Sequence, residues 1–434
     1  MADGATLSIC NGRLVDPANG LDAPLDLHIA NGRIVAIGAA PPGFAPERVL
    51  DARGQVVCPG FVDLCARLRE PGAEQKATIA SETRAAAASG VTALCCPPDT
   101  QPLIDTPAVA QLVRQTAQRH GFARVLPAGA LTQGLAGAQI SEMEALKRAG
   151  CPVMSHADRP ITNTLVQRRA MEYAATFDLA VFLHPEDPHL RAGGCMHEGR
   201  VSTRLGLPGI PEAAETVAVA RDLALAEQAG ARVHFRGLST ARAAEMVAEA
   251  QRRGIAASAD VSAVQLILTE DDVGAFDSNC HLIPPLRTAR DRDALRAAVA
   301  SGVIGAICSD HQPHDADAKL APFPATAPGI SALETLLPLA LRLVDEGVAD
   351  LATVIARLTA GPARILGKPL LGRLDEGARA DICIFDPDAR WTLEPGQMAS
   401  LGQNTPFAGR TLEGRVSWTL LAGRIVHART AESR

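Results

Sequence analysis

Four short segments of the sequence are rich in side chains that bind metal ions, move protons or hold anions. They are residues 63–72 (DLCARLREPG), 98–102 (PDTQP), 184–187 (HPED) and 309–314 (SDHQPH). His, Cys and Asp are common ligands of zinc, and Asp and His also act as general acids or bases. Each segment directly follows an apolar run, so the sequence predicts that the chemistry of this protein lies at the ends of buried strands.

The apolar runs alternate with Ala-rich stretches that have the composition of helices and mostly end in glycine. The eight strand-like runs are Phe61–Leu64, Val91–Cys95, Arg124–Ala128, Pro152–Met154, Leu179–Leu183, Arg232–Phe235, Ile255–Ala259 and Val303–Cys308. This alternation is typical of the α/β class and of a parallel (β/α)8 barrel of the TIM type. In such barrels the functional side chains follow the carboxyl ends of the strands. We therefore predict one barrel domain over residues 59–365.

Residues 1–58 and 366–434 have a different, β-rich pattern, with Asn31-Gly32 and Ala422-Gly423 as two-residue turn signals. The strand-like runs there are Ala5–Ile9, Leu25–Ala30, Arg33–Ile37, Ala380–Phe385, Gly414–Leu420 and Arg424–His427. Two β-rich ends around a long middle predict a small composite β domain formed by both termini.

Composition and charge narrow the class of partner. The 434 residues carry a formal net charge of −6, and only 3% of them are aromatic, so we expect neither nucleic acid nor a membrane as a partner. The ten cysteines are scattered, without a C-x2-C pair, which is typical of reduced cytosolic thiols. We find no secretion signal and no apolar run of about 18 residues, and we expect a cytoplasmic protein.

Five motifs are spread over nearly the whole chain: residues 68–72 (LREPG), Pro211–Asp222, Pro284–Arg287 (PPLR), Ser309–His314 (SDHQPH) and Asn404–Phe407 (NTPF). Together they resemble the cyclic-amidohydrolase branch of the amidohydrolase superfamily, and most of all type I dihydroorotase. The resemblance implies a barrel whose metal ion acidifies a water molecule and polarises the scissile carbonyl. It also implies that the Asp after the eighth strand, here Asp310, moves the proton.

Most positions that hold metal ligands in this family carry other residues here. Cys65 and Arg67 stand where the family has two histidines, spaced H-x-H, after the first strand. The Asp-Asp-Gly run after the fourth strand is replaced by a segment that contains His156 and Ala157. Gly237 stands in place of the His after the sixth strand.

Of the family's metal ligands, His184 and Asp310 are retained. A catalytic zinc ion usually has three protein ligands and one open position, so two ligands are insufficient. We therefore interpret Asp310 as a vestigial catalytic residue and expect no cofactor. The alternative is a remodelled zinc site in which Cys65 and His156 join His184 and Asp310.

Arg67 further opposes metal binding, because its guanidinium is permanently charged and cannot act as a ligand. Two like unit charges about 4 Å apart repel by about 4 kcal/mol at an effective dielectric constant of ~20. We hypothesise that Arg67 replaces the charge of the metal ion and pairs with Asp310.

The substrate side is altered as well. The resemblance implies that the carboxylate of the substrate is held by an Arg, two Asn and a His. Arg69 and His314 remain, but Asp99 replaces the first Asn and would repel a carboxylate, and Ile283 replaces the second. We expect Arg69, Asp99 and His314 to form at most a weak anion site.

Three functions remain open. The first, implied by the resemblance to dihydroorotase homologues without zinc histidines, is a non-catalytic, homo-oligomeric subunit that assembles with the catalytic subunit of aspartate carbamoyltransferase in pyrimidine biosynthesis. The second is an active zinc cyclic amidohydrolase that interconverts N-carbamoyl-L-aspartate and dihydroorotate at a remodelled site. The third is a binding module that senses a pyrimidine intermediate through Arg69 and His314.

Overall fold

Strands from the two ends of the chain form two sheets in the computed structural model, which describes residues 6–429. These strands are β1 (Thr6–Cys10), β2 (Arg13–Asp16), β3 (Leu21–Pro24), β4 (Leu27–Ala30), β5 (Arg33–Ile37), β6 (Arg48–Asp51), β7 (Val56–Pro59), β19 (Ile382–Thr392), β20 (Thr411–Leu421) and β21 (Arg424–Ala428). One sheet has the order β5-β4-β1-β6 and the other the order β21-β20-β19-β7-β2-β3. The second sheet therefore combines strands from both termini.

Both predicted two-residue turns are confirmed. Asn31 and Gly32 have φ angles of 53° and 73° between β4 and β5, and Ala422 and Gly423 have φ angles of 48° and 72° between β20 and β21. Positive φ at both central residues is the type I′ geometry that matches the twist of a hairpin. Four strands of the N-terminal part, β2, β3, β6 and β7, each only four residues long, were not predicted. Ala5, where the first predicted strand begins, lies outside the described residues.

A common hydrophobic core holds these terminal strands together. Leu7, Leu27 and Ile34 from the N-terminal part pack in one cluster with Ile382 and Leu420 from the C-terminal part. Each of these side chains is almost completely removed from solvent. Because burial of apolar area is the main favourable contribution to folding, the two ends of the chain stabilise each other.

The middle of the chain contributes the parallel strands. They are β8 (Phe61–Asp63), β9 (Val91–Cys96), β10 (Arg124–Pro127), β11 (Gly129–Ala130), β12 (Val153–Ser155), β13 (Ala180–Leu183), β14 (Met196–His197), β15 (Gly209–Ile210), β16 (Val233–Phe235), β17 (Ala257–Ser262) and β18 (Ala306–Cys308). Each of the eight predicted apolar runs overlaps one of them. The predicted mixed α/β fold is thereby confirmed.

The parallel strands pair in chain order. Two of their sheets have the orders β10-β9-β8 and β11-β12-β13-β16-β17-β18, and only Ala128 separates β10 from β11; β14 and β15 pair separately. An isolated parallel bridge between Ala66 and His311 joins the segments that follow β8 and β18. The carboxyl ends of the first and last strands are therefore neighbours, which brings the predicted functional segments together.

Helices connect and cover the strands. They are α1 (Ile79–Ala88), α2 (Pro107–His120), α3 (Met143–Arg148), α4 (Thr164–Thr176), α5 (Pro188–Arg191), α6 (Arg200–Leu205), α7 (Glu212–Ala229), α8 (Ala241–Arg252), α9 (Ala289–Ser301), α10 (Leu336–Asp345), α11 (Leu351–Leu358) and α12 (Ala360–Ile365). Gly230 and Gly302 end α7 and α9 in the left-handed conformation, at a position where glycine is common. Within residues 6–429, no helix is both long enough and apolar enough to cross a membrane.

Candidate functional site

Five charged side chains meet at the carboxyl ends of the parallel strands. Arg67 follows β8, Asp99 follows β9, Asp158 follows β12, Arg236 follows β16 and Asp310 follows β18. We call these five residues the strand-end cluster. Their positions agree with the expectation that ionisable groups after different strands converge at one edge of the parallel sheet.

Arg67 lies at the centre of this cluster, and its side chain is only 4% exposed. Its Nε donates to Asp99 Oδ2 at 2.7 Å and its Nη2 donates to Asp158 Oδ2 at 2.5 Å. Its Nη1 lies 3.7 Å from Asp310 Oδ1. The hypothesised contact with Asp310 is thus present, but it is the longest of the three, and Asp99 and Asp158 bind the guanidinium more closely.

Arg236 is a second buried cation that the sequence analysis missed. Its Nη2 lies 2.6 Å from Cys65 Sγ and 3.5 Å from Asp310 Oδ1, and its Nη1 lies 3.4 Å from Asp158 Oδ1. Asp158 was also not recognised as a site residue. Both follow parallel strands closely, Asp158 three residues after β12 and Arg236 directly after β16, so a search of the strand ends for charged residues could have found them.

The charges of the cluster set its protonation state. Burial by itself raises the pKa of Asp158, but the adjacent Arg67 and Arg236 outweigh this effect and hold its pKa well below the usual range. Burial raises the pKa of the Cys65 thiol well above its ordinary value, against the opposing effect of Arg236. At neutral pH the aspartate is therefore ionised and Cys65 is a thiol, which is a poor metal ligand compared with a thiolate.

The retained ligand candidates have different surroundings. Cys65 Sγ lies 3.3 Å from Asp310 Oδ1, to which the thiol can donate. The side chain of His184 is 5% exposed, and its Nε2 makes no hydrogen bond and lies 3.9 Å from Glu186 Oε2. Glu186 in turn pairs with Arg191 at 3.1 Å.

Three further positions at which family metal ligands are replaced, His156, Ala157 and Gly237, offer no free donor atom. His156 is buried between Thr132 Oγ1, at 2.7 Å from its Nε2, and the carbonyl oxygen of Arg159, at 2.6 Å from its Nδ1. Ala157 has a φ of 52°, and Gly237 has a φ of 62°. Both ring nitrogens of His156 are thus occupied, and the two other positions offer no donor side chain.

The predicted anion-binding residues lie together beside a small pocket of about 100 Å³ that Arg69 and Asp99 help to line. Arg69 donates to the carbonyl oxygen of Pro313 at 2.9 Å, and its Nη2 lies 3.2 Å from His314 Nε2. Lys76, which the sequence analysis missed, lies 3.1 Å from His314 Nδ1. Burial, together with Arg69 and Lys76, lowers the pKa of His314 to about 3, so this imidazole is neutral at pH 7.

A divalent metal ion does not fit these residues. Within residues 6–429, no group of three or more His, Cys, Asp or Glu side chains is arranged to hold a metal ion. The guanidinium groups of Arg67 and Arg236 both approach Asp310, and Arg236 also contacts Cys65. Two fixed positive charges therefore lie against the donors that a metal ion would need.

Comparison with known proteins identifies the family. A "Dihydro-orotase-like" family model matches residues 54–243 and an "Amidohydrolase family" model matches residues 203–427. A dihydroorotase-like protein of Pseudomonas putida is 53% identical over 97% of this chain and 99% of its own length. This chain belongs to the dihydroorotase-like amidohydrolases. A dihydroorotase of Anaeromyxobacter dehalogenans is 45% identical to this dihydroorotase-like chain, over 97% of it and 98% of the relative.

The fold of this dihydroorotase-like chain is also found among solved structures. L-hydantoinase from Arthrobacter aurescens superimposes with a TM-score of 0.88 at 23% identity, covering 97% of this chain and 96% of that chain. At this identity the likeness establishes a common fold and nothing about the substrate. The function must therefore be argued from the strand-end cluster.

Proposed function

We propose that this chain is a dihydroorotase homologue on a (β/α)8 barrel that does not catalyse hydrolysis and serves as a structural or regulatory subunit. One observation carries the proposal: Arg67 and Arg236 bring two guanidinium groups among Cys65, Asp158 and Asp310. These groups take the place of the positive charge that a metal ion contributes in the family.

A guanidinium cannot take over the chemistry of the metal ion. A bound divalent ion lowers the pKa of water to about 7 and polarises a carbonyl oxygen, whereas arginine has no open coordination position and does not release a proton at neutral pH. Asp310 lies between Arg67 and Arg236, at 3.7 Å and 3.5 Å, so both guanidinium groups compete with water for its carboxylate. The strand-end cluster is thus suited to stabilising the fold and not to activating water for hydrolysis.

The names of the relatives are consistent with this proposal. The Pseudomonas putida relative is called a dihydroorotase-like protein, and the less similar Anaeromyxobacter dehalogenans relative is called a dihydroorotase. For this chain, we propose that the partner is the catalytic subunit of aspartate carbamoyltransferase, that the chain itself is a homo-oligomer, and that the complex acts in cytoplasmic pyrimidine biosynthesis.

Metal content and turnover provide the first test. The protein is purified without chelators, its zinc is measured by mass spectrometry, and its activity is assayed from N-carbamoyl-L-aspartate and from dihydroorotate, beside an active dihydroorotase as positive control. We expect less than stoichiometric zinc and no turnover above the buffer rate. Stoichiometric zinc with turnover would establish the alternative, a remodelled zinc site at Cys65, His156, His184 and Asp310. The Nε2 of His184, which makes no hydrogen bond, favours this alternative.

Complex formation provides the second test. The chain and the catalytic subunit of aspartate carbamoyltransferase are purified separately, mixed, and analysed by size-exclusion chromatography with light scattering. We expect a larger species that contains both chains, and a homo-oligomer when the chain is alone. Two independent peaks at micromolar concentrations would contradict the subunit proposal.

A second candidate function is a sensor of an acidic pyrimidine intermediate, favoured by the addition of Lys76 to Arg69 and His314. A ligand that binds only the folded state must raise the melting temperature. Thermal melting with dihydroorotate and with N-carbamoyl-L-aspartate, in the native chain and in Arg69→Met, tests this candidate. A rise that disappears in Arg69→Met supports it, and the absence of any rise at millimolar ligand excludes it.

A further inference from the structure

A large cleft lies between the parallel strands and the terminal strands and has a volume of about 810 Å³. Arg124 and Leu126 of β10 line one side, Arg33 of β5 lines another, and most of the remaining lining comes from residues 367–371 and 375–379. We call it the amino-end cleft, because Arg124 is the first residue of β10. The strand-end cluster lies at the opposite, carboxyl ends of the parallel strands, and none of its five residues lines this cleft.

Two arginines of the lining lie directly opposite each other. Arg33 and Arg379 form an isolated antiparallel bridge, and both are exposed residues that line the cleft. Side chains at opposite positions of an antiparallel bridge point to the same face, with Cβ atoms about 4.5–5.5 Å apart, and like charges there are destabilising. The fold therefore holds two positive charges side by side at the edge of this cleft. We call Arg33 and Arg379 the opposed arginines.

No carboxylate neutralises the opposed arginines. Within residues 6–429, neither Arg33 nor Arg379 forms an ion pair, and neither does Lys368, which also lines the cleft. The Nη1 of Arg33 donates to the carbonyl oxygen of Gly377 at 2.6 Å. This bond fixes the guanidinium of Arg33 and leaves its other N–H donors available to a ligand.

The acidic residues of the cleft do not cancel these charges. Asp381 Oδ2 accepts from Arg124 Nη1 at 2.9 Å, and Asp375 Oδ1 accepts from Arg373 Nη2 at 2.8 Å, so both carboxylates are already paired. Glu376 is the third carboxylate of the lining, against the opposed arginines and a lysine. Unpaired positive groups therefore outnumber unpaired negative groups in the cleft.

The rest of the wall is largely apolar. Leu126, Pro369, Leu370 and Leu371 line the cleft, and Leu370 is 80% exposed. An apolar side chain with so much area in water gains free energy when a ligand covers it. Cavities of about 300–1,000 Å³ with apolar walls and a few charged groups are characteristic of sites for small organic ligands, particularly where two parts of a protein meet.

Two adjacent guanidinium groups match a phosphate better than a carboxylate. Each guanidinium can donate two parallel N–H groups to two oxygen atoms of an anion. A phosphate monoester has three terminal oxygens and a charge of about −1.5 to −2 at pH 7, so it can engage both arginines. A carboxylate has two oxygens and a single charge, which one arginine already satisfies.

We propose that the amino-end cleft binds a phosphate monoester with an apolar body. Its phosphate group lies between Arg33 and Arg379, and its apolar body covers Leu370 and Leu371. The phosphate relieves the repulsion between the opposed arginines, and the body removes exposed leucine from water. The proposal does not depend on the function proposed for the strand-end cluster.

Hexyl phosphate serves as the probe, and its binding to the native chain is measured by calorimetry. Inorganic phosphate is the control without an apolar body, and hexanoate is the control that carries a carboxylate in place of the phosphate. We expect saturable binding of hexyl phosphate, with dissociation constants roughly ten-fold or more higher for each control.

Two matched substitutions separate binding in the cleft from general attraction by positive charge. Arg379→Gln removes one opposed arginine, whereas Arg290→Gln removes an exposed arginine of α9 that lies outside the lining and forms no ion pair. We expect roughly ten-fold weaker binding of hexyl phosphate in Arg379→Gln and unchanged binding in Arg290→Gln.

Thermal melting shows whether a loss of binding reflects a loss of fold. Arg379→Gln removes the repulsion between like charges, so without ligand it should melt no lower than the native chain. Hexyl phosphate should raise the melting temperature of the native chain and of Arg290→Gln, and should have little effect on Arg379→Gln.

Leu370→Ala tests the apolar wall independently of the arginines. Because Leu370 is exposed, we expect its replacement to leave the fold intact, to weaken the binding of hexyl phosphate several-fold and to leave the binding of inorganic phosphate unchanged. This variant also keeps the proposal testable if Arg379→Gln does not fold.

Three results would each overturn the proposal. The first is the absence of saturable heat with hexyl phosphate at millimolar concentrations. The second is equal affinity of Arg379→Gln and Arg290→Gln for hexyl phosphate. The third is equal affinity of the native chain for hexyl phosphate and for either control, which would leave no role for the apolar body or for the phosphate.

Discussion

Arg67 differs from a divalent metal ion in the magnitude of its charge and in the geometry of the contacts that it makes. Its planar guanidinium presents five N–H donors in a fixed geometry, and here it engages Asp99 and Asp158 at 2.7 Å and 2.5 Å. A metal ion would instead attract lone pairs and leave a position for water. Arg67 therefore satisfies these carboxylates but cannot activate water as a metal ion would.

Replacement of Arg67 tests the stabilising role of the cluster. Arg67→Met leaves the carboxylates of Asp99 and Asp158 without their closest cation, and we expect a loss of roughly 3–5 kcal/mol in the free energy of unfolding. Urea denaturation measures this loss. The control is Arg148→Met, which removes an exposed ion pair with Glu144 on α3 and should cost less than about 1 kcal/mol. Equal small losses in the two variants would contradict a stabilising role.

Asp158 predicts a pH dependence of stability. Its pKa in the folded protein lies below the ordinary value, so its contribution is complete above the unfolded pKa of about 3.9 and is lost as the pH falls toward the folded pKa. We expect Asp158→Asn to be clearly less stable than the native chain at pH 7, with a difference that shrinks below about pH 4. Urea denaturation at pH 7 and pH 3 measures it, and a difference that does not depend on pH would argue against an ionised Asp158.

At the scale of elements, short strands and their following turns decide where the side chains of the cluster lie. Arg69, Ala157 and Asp310 have φ angles of 62°, 52° and 47°, a left-handed conformation that is uncommon for residues other than glycine. All three were predicted from the sequence as positions related to the site. Strained backbone of this kind occurs often at functional sites.

The N-terminus of α1 is capped by a side chain. Thr78 caps α1 by accepting the N–H of Ser81 at 3.1 Å, in a capping box with that residue, whereas Thr106 at the start of α2 makes no such bond. We expect Thr78→Ala to lower the free energy of unfolding by about 1 kcal/mol and Thr106→Ala to lower it much less. Thermal and urea denaturation of both variants provide the comparison. Equal losses would show that the cap does not contribute.

At the scale of the whole molecule, the terminal sheets and the strand–helix part meet in a close contact at Gly90. This residue follows α1 with a φ of 81°, and its carbonyl oxygen accepts the N–H of Phe61 at 2.9 Å. A Cβ atom added at Gly90 would lie 2.5 Å from Cys383 Sγ on β19. The contact between the two parts therefore leaves no room for a side chain here.

Gly90→Ala tests this contact against a matched control. Gly54 also has a positive φ, of 73°, but an added Cβ would meet nothing within 4 Å. We expect Gly54→Ala to cost about 1–2 kcal/mol, for the left-handed backbone alone. Gly90→Ala should cost a further 1–3 kcal/mol or so, because its Cβ would overlap neighbouring atoms. Equal losses of stability in denaturation experiments would mean that the two parts separate easily at this point.

The sequence by itself determined the order and type of the elements, because alternating apolar and helical patterns are local properties. It also determined which ligand positions had changed, since Cys65, Arg67 and Gly237 can be read directly from motifs. The sequence was less informative about the lengths of the strands. The run predicted over Ala380–Phe385 overlaps a strand that continues to Thr392. Pairing with β20 extends that strand beyond its apolar part.

Only the tertiary structure decided how the cluster is paired. Arg236 and Cys65 are 171 residues apart, and Arg67 and Asp158 are 91 residues apart, yet each pair is in contact. Parallel strands gather residues that are distant in the chain, and the choice between several carboxylates depends on distances that no local pattern encodes. For that reason the sequence predicted one arginine near Asp310, whereas the structure places two, Arg67 and Arg236, near it.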